Sequence, residues 1–128
     1  MKQLSIRSTT HTELLNITTQ VSDAVRELGV DTGHCQVFVP HTTAAVVINE
    51  AADPDVARDL AEAYGAMVPD IAFRHAEGNS DAHLMSTVLG SSVLVPVADG
   101  HLALGTWQGI FFVELDGPRS RNVWVSAI

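Results

Sequence analysis

The last third of the chain is a succession of short apolar runs separated by turn residues, and this pattern constrains the fold more than any other feature. The runs are SSVLVPV, HLALG, GIFFVEL and NVWVSAI. Asp99-Gly100 and Asp116-Gly117-Pro118, which interrupt them, are typical of tight turns. Short apolar runs joined by such turns pair as antiparallel hairpins. The sequence therefore predicts a largely antiparallel sheet or sandwich.

Three segments before and between these runs have the signals of helices. The first carries apolar residues at helical intervals from about Thr18 and stops at Gly29. The second begins at Asp53 with Pro54 in the first helical position. The third is short, with Asn79 or Ser80 as its N-cap, and ends at Gly90. The order of elements predicts an α+β fold in which two main helices and one short helix pack on the sheet.

Length and composition limit the class of protein. A chain of 128 residues with 46% hydrophobic side chains suits one domain spanning residues 1–128. No run approaches the eighteen apolar residues of a membrane span, so we expect a cytoplasmic protein without a membrane partner. Seven basic against fifteen acidic residues give a net charge of −8, which disfavours nucleic acid as a partner. The single cysteine, Cys35, lies in an apolar strand and is expected to be structural.

Three histidines are candidate metal ligands. His75 and His83 bracket a polar run, the first in a loop and the second in the opening turn of the third helix. His41 follows Pro40, which interrupts a strand and predicts a bend at the rim of the sheet. Imidazoles suit a zinc-like divalent ion with an open coordination position, whereas magnesium would enter with the oxygens of a diphosphate. The alternatives are that these histidines are structural, or that they hold a substrate without metal.

Two threonines and two arginines are candidate substrate-binding residues. Thr42 and Thr43, next to His41, carry hydroxyls that can donate to a phosphate. Arg119 and Arg121 carry guanidinium groups that suit the oxygens of a diphosphate. The alternative for the arginines is that they pair with the nearby acidic residues and stabilise the hairpin.

Three further polar residues are candidates for catalysis. Glu114 interrupts an apolar row of its strand, which predicts either a rim position or a buried function as a proton acceptor. Gln108, at the head of the same strand, offers an amide to a substrate or to a catalytic carboxylate. Asn79 offers another amide, although helix capping is the first explanation for it.

Four motifs together resemble the YjbQ-like family, to which a secondary thiamine-phosphate synthase activity is ascribed. They are PHTTAA, GNSDAH, LGTWQ and the closing E-x-D-G-P-R-x-R, and the resemblance extends from about Gly33 to the end of the chain. It implies an α+β subunit that forms a homotrimer, with a histidine-rich metal site near the subunit boundaries. It also implies that the substrates are small phosphorylated metabolites: hydroxymethylpyrimidine diphosphate is joined to a thiazole phosphate and pyrophosphate is released.

Two other classes of function remain open at the level of the sequence. A metal site with an open position can activate water, so a metal-dependent hydrolase of a small phosphorylated metabolite is one alternative. A non-catalytic trimer that binds a metal or ligand is the other. Gln108, Glu114 and the arginine pair weigh against simple storage, which would not require them.

Overall fold

The computed structural model describes residues 1–128 and contains eight strands and three helices, as the α+β prediction requires. The strands are β1 (Lys2–Arg7), β2 (Glu13–Asn16), β3 (Gly33–Phe38), β4 (Ala44–Glu50), β5 (Ser92–Ala98), β6 (His101–Leu102), β7 (Gln108–Glu114) and β8 (Ser120–Ala127). The helices are α1 (Thr18–Leu28), α2 (Pro54–Ala66) and α3 (Ser80–Leu89).

The strands form two antiparallel sheets, so the predicted sandwich is present. The five-stranded sheet has the order β1-β8-β3-β5-β6, and the three-stranded sheet has the order β2-β7-β4. Of the two hairpins predicted from the turns at Asp99 and Gly117, only the first is present. β5 pairs with β6 as a hairpin, whereas β7 and β8 lie in different sheets because β8 crosses over to pair with β1 and β3.

The main core lies between the two sheets. The inward side chains of β3, β5 and β8 alternate with outward ones, and they pack against α1 and one face of the three-stranded sheet. α1 contributes Val21, Ala24 and Val25, and it ends at Gly29, whose left-handed conformation closes the helix. Cys35 is fully buried in this core, as expected for a structural cysteine.

α2 and α3 cover the other face of the three-stranded sheet, where a smaller apolar cluster forms around Ala45 and Val113. α3 buries Ala82 and Met85 there, whereas α2 buries none of its residues. Asp53 caps α2 by accepting the Asp55 amide at 2.9 Å, so its predicted capping role is confirmed. None of the three helices is both long and apolar enough to span a bilayer.

Candidate functional site

The candidate site begins where β3 stops at Pro40. The pairing of β3 with β8 ends at Phe38 opposite Trp124, and continuing it would place Pro40 opposite Asn122. The chain bends away instead, and the Asn122 amide donates to Nε2 of His41 at 2.9 Å. The predicted bend after Pro40 therefore serves to satisfy a backbone group that the interrupted ladder leaves open.

Burial decides the charge of the His41 imidazole, and the hydrogen bond from Asn122 decides its tautomer. Burial lowers the pKa of the imidazole, and the nearby positive charge of Arg121 lowers it further, against smaller opposing effects of the Asn122 amide and Glu114. The ring is therefore neutral near pH 7. Since Nε2 is the acceptor, Nδ1 carries the proton and is available as a donor.

His41 and His83 line the same polar cavity, which has a volume of about 390 Å³ and no hydrophobic side chain in its wall. The other wall residues are Thr42, Ser86, Thr87, Gly90 and Ser91. His83, Ser86 and Thr87 share one face of α3 because they lie three and four residues apart. The hydroxyl of Ser86 donates to the Ala44 carbonyl, which holds α3 against β4.

His75 lies beside His83, as the hypothesis of a shared metal ion requires. Their ring centroids are 5.4 Å apart and the rings meet edge to face. Two imidazoles on one tetrahedral zinc ion, with Zn–N distances of about 2.0 Å, place their centroids about 5 Å apart. This pair therefore has a separation that suits two ligands of one ion.

The expected set of three histidines is not assembled within this chain. The structure gathers no group of three histidine, cysteine, aspartate or glutamate side chains that could hold a metal. His41 shares the cavity with His83, but its Nε2 is already an acceptor for the Asn122 amide. Of the three histidines, His75 and His83 are the pair whose separation suits a common ion.

Glu114 and Arg121 form a buried ion pair that contacts Thr43, the residue after Thr42 of the cavity wall. Their side chains are 0% and 4% exposed, and Arg121 donates through Nε to the carboxylate at 3.0 Å. Arg121 also donates to the hydroxyl and the carbonyl of Thr43. Ser8 adds a hydrogen bond to Glu114 at 2.7 Å. Of the two roles considered for Arg121, the structure shows ion pairing, and the Thr43 hydroxyl is engaged with it instead of facing a substrate.

The surroundings of Glu114 do not suit a proton acceptor. Burial alone would raise its pKa, but hydrogen bonds from Arg121, Ser8 and the Asp116 amide, with the charge of Arg121, hold the pKa below the usual carboxyl range. The Leu115 amide donates to it as well. The structure therefore shows Glu114 as a buried, hydrogen-bonded ion-pair partner of Arg121, and its catalytic role stays a prediction.

A second acidic residue, Asp116, organises the edge of the site. It accepts hydrogen bonds from Arg119 at 3.1 Å and from Asn79 Nδ2 at 3.0 Å. Asn79 stands at the N-cap position of α3 but makes no capping bond, so capping is the wrong explanation for it. Its buried Oδ1 has no hydrogen-bond partner in the protein. Arg119 remains half-exposed, so the guanidinium group is still open to a ligand.

Gln108 lies far from the other candidates. It occupies the first position of β7 and Glu114 the last, which separates them by about 20 Å along an extended strand. Its side-chain oxygen accepts the Gly105 amide and closes the preceding turn. The structure therefore does not bring Gln108 together with the other candidates, and its catalytic role stays a prediction.

Sequence reasoning missed several residues that line or support the site. Ser86 and Thr87 could have been predicted, because they follow His83 at the spacings that place side chains on one face of a helix. Nothing in the sequence around Ser8 or Ser91 indicates that either residue belongs to the site. Ser8 is brought to Glu114 across 106 residues of chain, and no local pattern carries such a contact.

The fold and site together define a class: a small α+β sandwich of two antiparallel sheets with a histidine-bearing polar cavity where a strand ends at a proline. The model of the family described as UPF0047 protein YjbQ-like matches residues 2–128. The chain belongs to this family.

Relatives and solved structures agree with this membership. The UPF0047 protein YugU from Bacillus subtilis is 42% identical over 98% of this chain and 96% of its own length. A conserved protein of the YjbQ/UPF0047 family from Clostridium acetobutylicum has 44% identity and a TM-score of 0.95, with both chains covered completely. A hypothetical protein from Aeropyrum pernix has 37% identity and a TM-score of 0.93, over 99% of this chain and 96% of its own.

Proposed function

We propose that this protein is a thiamine-phosphate synthase-like transferase that joins hydroxymethylpyrimidine diphosphate to a thiazole phosphate and releases pyrophosphate. The observation that supports it is the wholly polar cavity of about 390 Å³ shared by His41 and His83. A cavity with hydroxyls and imidazoles and no apolar wall suits a phosphorylated group better than an apolar one. The family resemblance supplies the identity of the two organic substrates.

The residues of the cavity divide into donors and acceptors. Ser86 and Thr87 donate their hydroxyl hydrogens to backbone carbonyls, so they offer only acceptor oxygens to a ligand. Thr42 and Ser91 have hydroxyls that can donate, as does Nδ1 of His41. Negative charge develops on the leaving oxygens as pyrophosphate departs, and donors already in position stabilise that charge.

A divalent metal, with zinc favoured by imidazole ligands, would be held by His75 and His83. When bound, it supplies Lewis-acid stabilisation of phosphate oxygens, while magnesium would enter with the diphosphate itself. Elemental analysis of the wild-type protein and of the double variant His75→Ala, His83→Ala tests this part. Equal metal content in the two proteins would contradict it.

Pyrophosphate release in the presence of both organic substrates tests the transferase. We expect release from the wild-type protein to depend on both substrates, and to fall roughly tenfold or more in the variant His83→Ala because a cavity wall is lost. His101→Ala is the matched control, since His101 is an exposed histidine on β6 outside the cavity. Absence of pyrophosphate with both substrates present would end the proposal.

Hydrolysis is the second candidate, and the exposure of the cavity favours it. Thr42 and Thr87 are solvent-exposed, so water reaches the same wall residues that would contact a substrate. Incubation with each phosphorylated substrate alone separates the two reactions. Release of phosphate or pyrophosphate without the second substrate would identify a hydrolase of small phosphorylated metabolites.

We also propose that the protein is a cytoplasmic homotrimer, and the uncovered face of the five-stranded sheet supports the assembly. This outer face carries a stacked aromatic pair, Phe38 and Trp124, with ring centroids 5.7 Å apart. Leu94, on the neighbouring strand, is 57% exposed. The outward positions of β1, β8, β3 and β5 include no aspartate or glutamate in a chain of net charge −8. The face does carry Arg7, which donates to Ser120, but a partly apolar sheet face without acidic residues is typical of a subunit contact.

A further inference from the structure

A second cavity, larger than the polar one, lies between α2 and the outer face of β2 and β7. Its volume is about 640 Å³, within the range of small-molecule sites. Its floor is apolar and is formed by Leu14 and Phe111. It shares no wall residue with the cavity of His41 and His83. Whatever occupies it is therefore bound apart from the proposed reaction.

The cavity exists because α2 does not fill the space beneath it. The helix lines the cavity with Pro54, Ala57 and Ala61, whose side chains are small. α2 buries none of its residues, in contrast with α1 and α3. The cavity is open to solvent on one side, and its volume is many times that of one water molecule.

The polar groups at the rim select the chemistry of the occupant. Oε1 of Glu13 accepts the amides of Thr9 and Thr10, and Oε2 accepts the Thr9 hydroxyl at 3.4 Å. Glu13 is thus held in place, and Oε2 has room for one further donor. Asp53 uses Oδ1 to cap α2, which leaves Oδ2 for a ligand. Asn16 accepts the Thr18 amide through its oxygen, so its NH₂ group is the free end.

The rim of the cavity carries a net negative charge. The two carboxylates have one basic counterpart, Arg58, and its guanidinium group is paired with Asp55 outside the cavity. An apolar floor below two carboxylates suits a flat ring that carries a cationic or N–H-donating group. A carboxylate or phosphate ligand would be repelled by the same rim.

We infer that the cavity under α2 is a second ligand site for a small, flat aromatic amine or amidine, recognised by Asp53 and Glu13 above Leu14 and Phe111. This inference goes beyond the proposed transferase and does not depend on it. The two are tested by different readouts, since one is binding and the other is pyrophosphate release.

Benzamidine is the probe, with neutral benzamide and anionic benzoate as isosteres of the same shape. Binding to the full chain is followed by amide chemical shifts in NMR titrations. We expect the affinities to fall in the order benzamidine, benzamide, benzoate, with shifts concentrated on Leu14, Phe111 and α2. Equal binding of benzoate, or shifts confined to other residues, would overturn the inference.

Two alanines of α2 provide a matched pair of variants. Ala61→Leu fills the cavity and should weaken benzamidine binding roughly tenfold, which corresponds to a free energy of about 1.4 kcal/mol. Ala63→Leu adds the same atoms on the exposed side of α2 and should leave binding unchanged. Unchanged binding in Ala61→Leu would contradict the site.

Asp53→Asn keeps the helix cap and removes the charge, so it tests recognition without unfolding α2. We expect it to weaken benzamidine binding roughly fivefold and to leave benzamide binding within about twofold, because only the cation gains from the carboxylate. An equal loss for both probes would remove the assigned role of Asp53.

Discussion

Arg121 is the residue on which the interior of the site most depends. From β8 it binds both Glu114 on β7 and Thr43, just before β4, and so connects the five-stranded and three-stranded sheets at the end where the cavity lies. A buried ion pair contributes little net stability relative to apolar residues, but loss of one partner leaves a buried charge without compensation. The pair therefore acts as a constraint on geometry.

Removal of the guanidinium group should destabilise the fold strongly. We expect Arg121→Met to lower the free energy of unfolding by about 3 kcal/mol or more, because Glu114 would stay buried and charged. Urea denaturation followed by circular dichroism measures the change. The double variant Arg121→Met, Glu114→Gln should lose less than the sum of the two single variants.

Arg119→Met is the matched control for this prediction. Its ion pair with Asp116 is half-exposed, and pairs of that kind contribute less than about 1 kcal/mol. Similar losses in Arg119→Met and Arg121→Met would show that burial does not decide the energetics here.

The low pKa of Glu114 makes stability depend on pH in a defined direction. Because the folded-state pKa lies below the ordinary value of 4.5, the folded protein binds a proton less readily than the unfolded chain. The contribution of Glu114 is complete above pH 4.5 and is lost as the pH falls through the folded-state value.

Wild type and Glu114→Gln, compared across acid pH, test this linkage. We expect the difference in their free energies of unfolding to shrink as the pH is lowered below about 4.5. Guanidinium denaturation at several pH values, at constant ionic strength, measures it. A constant difference across that range would indicate that Glu114 is not ionised in the folded state.

At the scale of elements, the three helices are attached to the sheets in different ways. α1 is held by three buried apolar residues and a left-handed glycine at its end. α3 is held by Ala82, Met85 and the hydroxyl of Ser86. α2 has no buried residue, so its stability depends more on its own N-cap than that of the others.

Asp53→Ala should therefore destabilise α2 measurably. Loss of the hydrogen bond to the Asp55 amide is expected to lower the free energy of unfolding by about 1 kcal/mol. Asp53→Asn should lose much less, since asparagine caps almost as well. Urea titrations of the three proteins give the values, and equal losses in both variants would mean that charge, not capping, is responsible.

At the scale of the whole molecule, one face of the sandwich has nothing packed on it. The five-stranded sheet is covered on its inner side by α1 and the three-stranded sheet, and its outer side is bare. Sedimentation velocity should show a species of about three times 13.7 kDa if the protein is a trimer. A monomer at micromolar concentration would contradict the assembly.

A charge placed on the bare face should weaken that assembly. We expect Leu94→Lys to shift the sedimentation profile toward monomer, because an ammonium group would be buried without a partner. Gln20→Lys, on the exposed side of α1, adds the same charge elsewhere and should not. An unchanged profile for Leu94→Lys would place the subunit contact on another surface.

The sequence by itself determined the elements and their local signals. The three helices, their boundaries at Gly29, Asp53 and Gly90, and the bend after Pro40 all follow from interactions between residues close in the chain. The proximity of His75 to His83 belongs to the same class, because a loop leading into a helix is a local feature.

Only the tertiary structure decided the roles of Glu114, Arg121, Thr43 and Gln108. The first three meet because the start of β4, the end of β7 and the start of β8 lie together. Gln108 is excluded because it lies at the other end of β7. Which strand ends coincide depends on sheet pairing over long separations, such as the 78 residues between Thr43 and Arg121. Local sequence patterns carry no record of that pairing, since it is selected by the packing of the whole core.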